Sequence, residues 1–241
     1  MHEKYVRDLL FADDAAITTD TQEDLQRLLD RFSDACRHFG LTISLAKTQV
    51  MGQDIKEIPS FFIHNYKLEV VHEFVYLGST ITDNLSIDSE LNKRIGKAAM
   101  TLSRLTKRVW SNNKFSDHTK VNVHKACAIS TLLYGSESCT MRAHQEKRLN
   151  VFHMNCLRRI LGITWQDKVT NKVVLEKAGI PSFYTLLKQR HMGLLGHVTR
   201  MKDGRIPKDL YMANWRQGKD QQDDPNYASR TYASETSRHL A

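Results

Sequence analysis

Two adjacent carboxylates, Asp13 and Asp14, stand between short, largely apolar stretches, residues 5–11 before them and 15–19 after. Their oxygens are hard donors suited to a divalent metal ion. A bare aspartate pair more often marks a solvated turn, because Asp makes its own local hydrogen bonds there, so the surroundings decide the reading. Other residues with chemical potential are less well grouped. His153 and Cys156 are half of a metal site without a second ligand pair nearby. His191 and His197 lie six apart rather than at the four-residue spacing that puts two ligands on one helical face, and are read as structural or phosphate-contacting. Trp110, Trp165 and Trp215 are of a type that stacks on bases, but the first two are expected to be packed inside.

The aspartates need an element that holds them at a tip, and the flanking segments predict a β-hairpin turning at Ala12-Asp13-Asp14. After the candidate cap Thr21, the positions Leu25, Leu28, Leu29, Phe32, Ala35, Cys36 and Phe39 recur at helical spacing until Gly40. Residues 41–45 alternate like a strand, and residues 67–71 with 74–82 predict a strand pair around a His72-Glu73 turn. From the candidate cap Ser86, Ile87, Leu91, Ile95, Ala98, Leu102, Leu105 and Val109 form a helical stripe. Lys93, Arg94, Lys97, Arg104, Lys107 and Arg108 are expected on its outer faces, lining a groove. Further helices are predicted from Ser116 to about Tyr134, Ala143 to Leu161 and Ser182 to Arg200, with Gly135, Gly162 and Pro181 between them. From Gln217 onward the chain is polar and aperiodic and reads as disordered.

With 241 residues and 41% hydrophobic content, the chain can build one or two cored domains. It has no apolar run of membrane-spanning length and no apolar leader, and its four scattered cysteines suit reduced thiols, so an intracellular site, nucleus or cytoplasm, is expected. Charge is segregated. Residues 1–89 hold 8 basic and 15 acidic side chains, a balance of −7, whereas residues 90–205 hold 22 and 7, a balance of +15. A basic body beside an acidic segment suggests a polyanion-binding surface next to a metal-holding one.

Phe11-Ala12-Asp13-Asp14 resembles the catalytic hairpin of reverse transcriptases, and three later features arrive in that family's order. The helix from Gln22 to Phe39 resembles the palm helix that follows. Gly40-Leu41-Thr42-Ile43-Ser44-Leu45-Ala46-Lys47-Thr48 resembles the next motif, with its lysine, and Phe74-Val75-Tyr76-Leu77-Gly78-Ser79 resembles the primer-grip hairpin. Leu133-Tyr134-Gly135-Ser136-Glu137, the stretch from Asn155 to Gly162, Trp165 and Gly196-His197-Val198 are similar to the thumb and C-terminal region of RTE-like non-LTR (LINE) retrotransposons.

The resemblance implies an α+β fold: a partial palm over residues 1–83, a helical thumb and C-terminal region over 84–211, and a disordered tail over 212–241. It implies RNA-directed DNA polymerisation with Mg2+ at Asp13 and Asp14 and with Lys47 near the leaving pyrophosphate. Tyr76, Leu77 and Gly78 would meet the primer of a primer and RNA template pair. Lys93, Lys97, Arg104, Lys107 and Arg108 are the leading phosphate contacts. The family's other palm aspartate, fingers and nucleotide pocket would lie upstream of Met1, so the chain is expected to be inactive alone and open to complementation by such a fragment. The rival expectations are a nucleic-acid-binding module and a retrotransposon-derived reading frame without selected function.

Overall fold

A computed structural model describes residues 8–53, 55, 59–139 and 141–212. Residues 5–7 of the expected first strand, Trp215 and the tail from Gln217 lie outside the described residues. The fold is mixed α+β, with short strands early and helices later, as the sequence pattern predicts. Contacts divide the chain into two units: residues 1–135 with 139–180, and residues 136–138 with 181–241. The change of character near residue 83 falls inside the first unit.

In the first unit, β1 (Asp8–Phe11) and β2 (Asp14–Ile17) pair antiparallel, with Phe11 opposite Asp14. α1 (Gln22–His38) begins at Thr21, whose hydroxyl accepts the Asp24 amide, and ends before Gly40 at φ +70°. This is the cap and stop its sequence predicts. Its inward row is Leu25, Leu29, Ser33 and Cys36 rather than the wider stripe that included Phe39, which is 82% exposed. Leu29 packs with Val50, Phe61, Ile63 and Leu68, and Ile17, Leu25, Ile43 and Leu45 close over them. Each large apolar side chain buried there contributes roughly 1.5–3 kcal/mol. Gln26 fastens α1 to the neighbouring backbone, donating to the Phe62 carbonyl at 2.7 Å and accepting the Phe62 amide at 3.0 Å.

Two strand expectations are corrected. Residues 41–45 form no strand: the Lys47 amide bonds to Ser44 O, and Thr48 gives both its amide and its hydroxyl to the same carbonyl. The segment therefore closes a turn on itself instead of offering those groups to a ladder. The strand lies just beyond, where β3 (Gln49–Val50) pairs parallel with β6 (Glu69–Val70). No hairpin turns at His72-Glu73 either. β4 (Phe62–Ile63) pairs with β5 (Tyr66–Lys67), and β7 (Glu73–Tyr76) pairs with β8 (Ser79–Thr82) around Leu77-Gly78.

α2 (Asp88–Arg104) runs on through a π-helical stretch, Thr106–Trp110, in which the Trp110 and Ser111 amides reach five residues back. The Ser86 hydroxyl accepts the Asp88 amide at 3.2 Å. α3 (Asp117–His124), capped by Ser116, passes through a second π stretch, Lys125–Ile129, into α4 (Ser130–Leu132). α5 (Ala143–Ile160) and α6 (Asn171–Ala178) complete this body, whose fully buried side chains include Leu91, Leu132, Leu149, Leu157 and Val174.

The second unit contains α7 (Phe183–Thr199), started by the Ser182 hydroxyl accepting the Thr185 amide, and helical residues 206–212. His191 is structural there, its Nε2 lying 2.9 Å from the Ser136 carbonyl oxygen. No described helix is long and apolar enough to cross a membrane.

Candidate functional site

Asp13 and Asp14 stand at the tip of the β1–β2 hairpin, both exposed. Ala12 opens the turn at φ +52°. A positive φ at the first turn residue suits the twist of paired strands, but for alanine the left-handed region costs about 1–2 kcal/mol. Backbone strain of this kind is characteristic of sites where geometry serves function. Among the described residues, neither carboxylate has a hydrogen-bond or ion-pair partner. Both are therefore free to meet a ligand.

A second hairpin holds the first in place. Tyr76 on β7 donates its phenol proton to the Leu9 carbonyl on β1 at 3.0 Å, a bond spanning 67 residues of sequence. The β7–β8 turn has positive φ at both central residues, Leu77 (+47°) and Gly78 (+81°), the hairpin geometry that glycine favours at its second position. Tyr134 lies against this turn. Its hydroxyl donates to the Leu77 carbonyl at 2.8 Å, and a Cβ on Gly78 would come within 3.2 Å of its ring. Tyr134 thus fixes the turn, a role hidden in the sequence because a Leu-Tyr-Gly run reads as the end of a helix.

Lys47 is exposed in the turn after Leu45 and pairs with neither aspartate. The described residues contain no group of three or more His, Cys, Asp or Glu side chains placed to hold a metal ion. Asp13 and Asp14 fit the oxygen donors of one Mg2+ that takes its remaining ligands from phosphate and water. Two-metal catalysis requires a further donor set beside them.

The candidate nucleic-acid contacts divide into two kinds. Lys93 is already engaged, with Nζ 2.6 Å from Glu73. Lys93 and then Ser89, both bonded to Glu73, hold its carboxyl below the ordinary value. Lys97, Arg104, Lys107 and Arg108 are exposed along α2 and its π-helical continuation. No acidic residue occurs between Leu91 and Ser116 to offset them. Arg94 is a correction. It is 4% exposed and paired with the buried Glu90, not turned outward. The spacing Leu91, Arg94, Ala98, Leu102 carries the reason, because three- and four-residue steps keep Arg94 on the packed row. Burial pushes the Glu90 carboxyl up, but the Thr80 amide and the Arg94 guanidinium outweigh it and hold it below its ordinary value. Trp110 is buried as expected, with Nε1 donating to the Leu102 carbonyl, whereas Trp165, expected inside, is 84% exposed.

Residues 3–81 match the family model of reverse transcriptase (RNA-dependent DNA polymerase). This part of the chain is similar to reverse-transcriptase sequence. Both hairpins and α1 lie within it, almost to the end of β8. Across 218 residues the chain is 27% identical to a putative uncharacterised transposon-derived protein of Caenorhabditis elegans, covering 86% of this chain and 76% of that one. Over 165 residues it is 24% identical to the RNA-directed DNA polymerase from the mobile element jockey of Drosophila funebris, covering 64% of this chain but 18% of that polymerase. Together these similarities support a retrotransposon reverse transcriptase, and they extend well past the segment 3–81 that matches the family model. No solved structure matches the chain.

Proposed function

We propose that this chain supplies the closing part of the palm and the helical region after it to an RNA-directed DNA polymerase of an RTE-like non-LTR element. The observation that carries the reading is the Asp13-Asp14 tip, exposed, without a partner among the described residues, and tied through Tyr76 to a second hairpin inside the segment that matches the reverse-transcriptase family model. In this reading the oxygens of Asp13 and Asp14 would hold Mg2+. The ion, when bound, neutralises phosphate charge and makes a primer hydroxyl easier to deprotonate. Tyr76, Leu77 and Gly78 meet the primer backbone, and Lys47 neutralises or protonates the leaving pyrophosphate. Lys97, Arg104, Lys107 and Arg108, with Lys93 in a lesser role because Glu73 occupies it, hold the phosphates of a primer and RNA template duplex. A nuclear or cytoplasmic location belongs to the same reading, in keeping with the thiols of Cys36, Cys127 and Cys156.

Two carboxylates are too few for the two-metal reaction, so the chain alone is expected not to extend a primer on an RNA template with Mg2+ or Mn2+. Extension should appear when a fragment bearing fingers, a nucleotide pocket and a second palm aspartate is added, and Asp13→Asn should abolish it. Extension by the chain alone that Asp13→Asn removes would overturn the expectation of inactivity. Complemented extension indifferent to Asp13→Asn would overturn the assignment of the site. The rival reading, a binding module without catalysis, is favoured by the exposed cations Lys97, Arg104, Lys107 and Arg108. It predicts salt-dependent duplex binding that survives Asp13→Asn unchanged and no extension under complementation.

A further inference from the structure

The described residue with the highest fractional exposure among the large hydrophobics is Trp165, at 84%. Burial of a tryptophan removes 150–250 Å2 from water, so leaving one outside forgoes a large stabilisation. Its presentation is not a consequence of a loose loop. Gly162 turns the chain out of α5 at φ +65°, and the Ile163 amide bonds back to Arg158 O at 2.9 Å. Asp167 accepts both the Thr164 amide, at 2.6 Å, and the Thr164 hydroxyl, at 2.8 Å, closing one 3-10 turn around Trp165. Lys168, at φ +50°, ends that turn with its amide on Trp165 O. Arg158 then pins the exit, donating to Val169 O at 2.9 Å and to Asn171 Oδ1 at 2.8 Å. The indole is held out by a bonded frame.

That frame adjoins the basic face. Arg159, next to the frame's anchor, reaches the Thr106 hydroxyl at 3.0 Å, joining the end of α5 to the π stretch that displays Lys107 and Arg108. Lys168 and Lys172, in the turn and the helix after it, are exposed. Lys177 is close enough to Asp167 to join the Thr164 contacts, which are the larger cause, in lowering its carboxyl. Of the two acidic groups in this segment, Asp167 is consumed by Thr164, leaving Glu176 against Arg159, Lys168, Lys172 and Lys177. Flat aromatic surface beside cations is how proteins hold unpaired bases, stacking on the π-face while the backbone is neutralised.

We propose that Trp165 is a stacking platform for an unpaired nucleic-acid base, and that the Lys107 and Arg108 face carries the adjoining phosphates. The proposal rests on the reading that this body binds nucleic acid, and adds single-stranded substrate to it. The test is fluorescence anisotropy of the full chain with a labelled oligothymidylate and with an abasic oligomer of equal length, each across a salt titration. Trp165→Ala should weaken oligothymidylate binding about 10-fold, with Trp165→Tyr close to the parent. It should leave abasic binding and the salt slope unchanged, because no charge is removed. Equal affinity of parent and Trp165→Ala for oligothymidylate would overturn the platform while leaving salt-dependent binding, and hence the broader reading, intact. Failure of the parent to bind either oligomer would overturn both. A concentration-dependent dimer abolished by Trp165→Ala, with oligomer binding unaffected, would assign the indole to a second copy of the chain instead.

Discussion

The hairpin that carries Asp13 and Asp14 and the helical body that follows it solve opposite problems. In β1 every residue is exposed, Leu10 and Phe11 at 64% and 63%, and the Tyr76 hydroxyl ties the hairpin to β7. In the body, Glu90 and Arg94 are paired inside, His124 and His153 are both fully buried, and Leu91, Leu132, Leu149 and Leu157 are at most 2% exposed. The comparison teaches that polar groups serve two ends in one chain. At the hairpin tip the carboxylates have no partner among the described residues, whereas in the body Glu90 pairs with Arg94 along α2 and His124 of α3 stacks on His153 of α5.

The sharpest way to break that contrast is Arg94→Ala. It strips Glu90 of its buried counter-charge, leaving the Thr80 amide to support the carboxylate. Losing one partner of a buried pair costs about 3–5 kcal/mol. Chemical denaturation should show a loss of that size in the first unit, and a loss below 1 kcal/mol would mean the pair is not what holds α2 to β8.

Acid titration comes next. The His124 and His153 rings stack with centroids 5.6 Å apart, and burial, then the neighbouring imidazole, pulls His124 down from 6.5 to about 4. The unfolded chain therefore takes up a proton at a pH where the folded chain does not. Stability is complete above pH 6.5 and falls as pH drops towards 4, by about 3 kcal/mol in all. Thermal melts across that window should follow this limb, and His124→Leu should flatten it. An unaltered limb in the variant would assign the effect elsewhere.

The smallest effect is expected at the hairpin. Tyr76→Phe removes only the bond to Leu9 O and should cost about 1 kcal/mol. Amide exchange should quicken in residues 8–17 and stay unchanged in α5. Equal acceleration in both regions would show that hairpin and body unfold together and that the contrast drawn above is not energetic.

What was legible in the sequence was local. Thr21, the row through Leu29 and Gly40 specify α1 with no help from elsewhere, and the Asp-Asp tip is set by its own flanks. The errors arose where tertiary partners decide. Residues 41–45 alternate like a strand, but Ser44 O gathers the next amides into a turn. Arg94 reads as an outward cation until Glu90, four residues earlier on the same row, is set beside it. Trp165 reads as core because indoles usually are, and nothing local announces that Asp167 and Arg158 brace it outward. α6 was missed although Val174, Ala178 and then Gly179 at φ +60° carry a short helix's spacing and stop. Eight residues give such a pattern too few turns to stand out.

The bond from Tyr76 to Leu9 also sets a timetable for synthesis. A hairpin such as β1–β2 closes in roughly 1–10 μs once its residues are free. Its tether is 67 residues further along, and the tyrosine that secures the tether's own turn comes another 58 residues later. At about 5–20 residues per second, a ribosome needs roughly 3–13 s to reach Tyr76, and a similar interval again to reach Tyr134. Throughout that time Leu9, Leu10 and Phe11 are presented on an undocked ribbon with open edges, the kind of surface that recruits other strands. The nascent chain thus passes through an interval of seconds in which holdase chaperones have their best target, at the very segment that carries the aspartates.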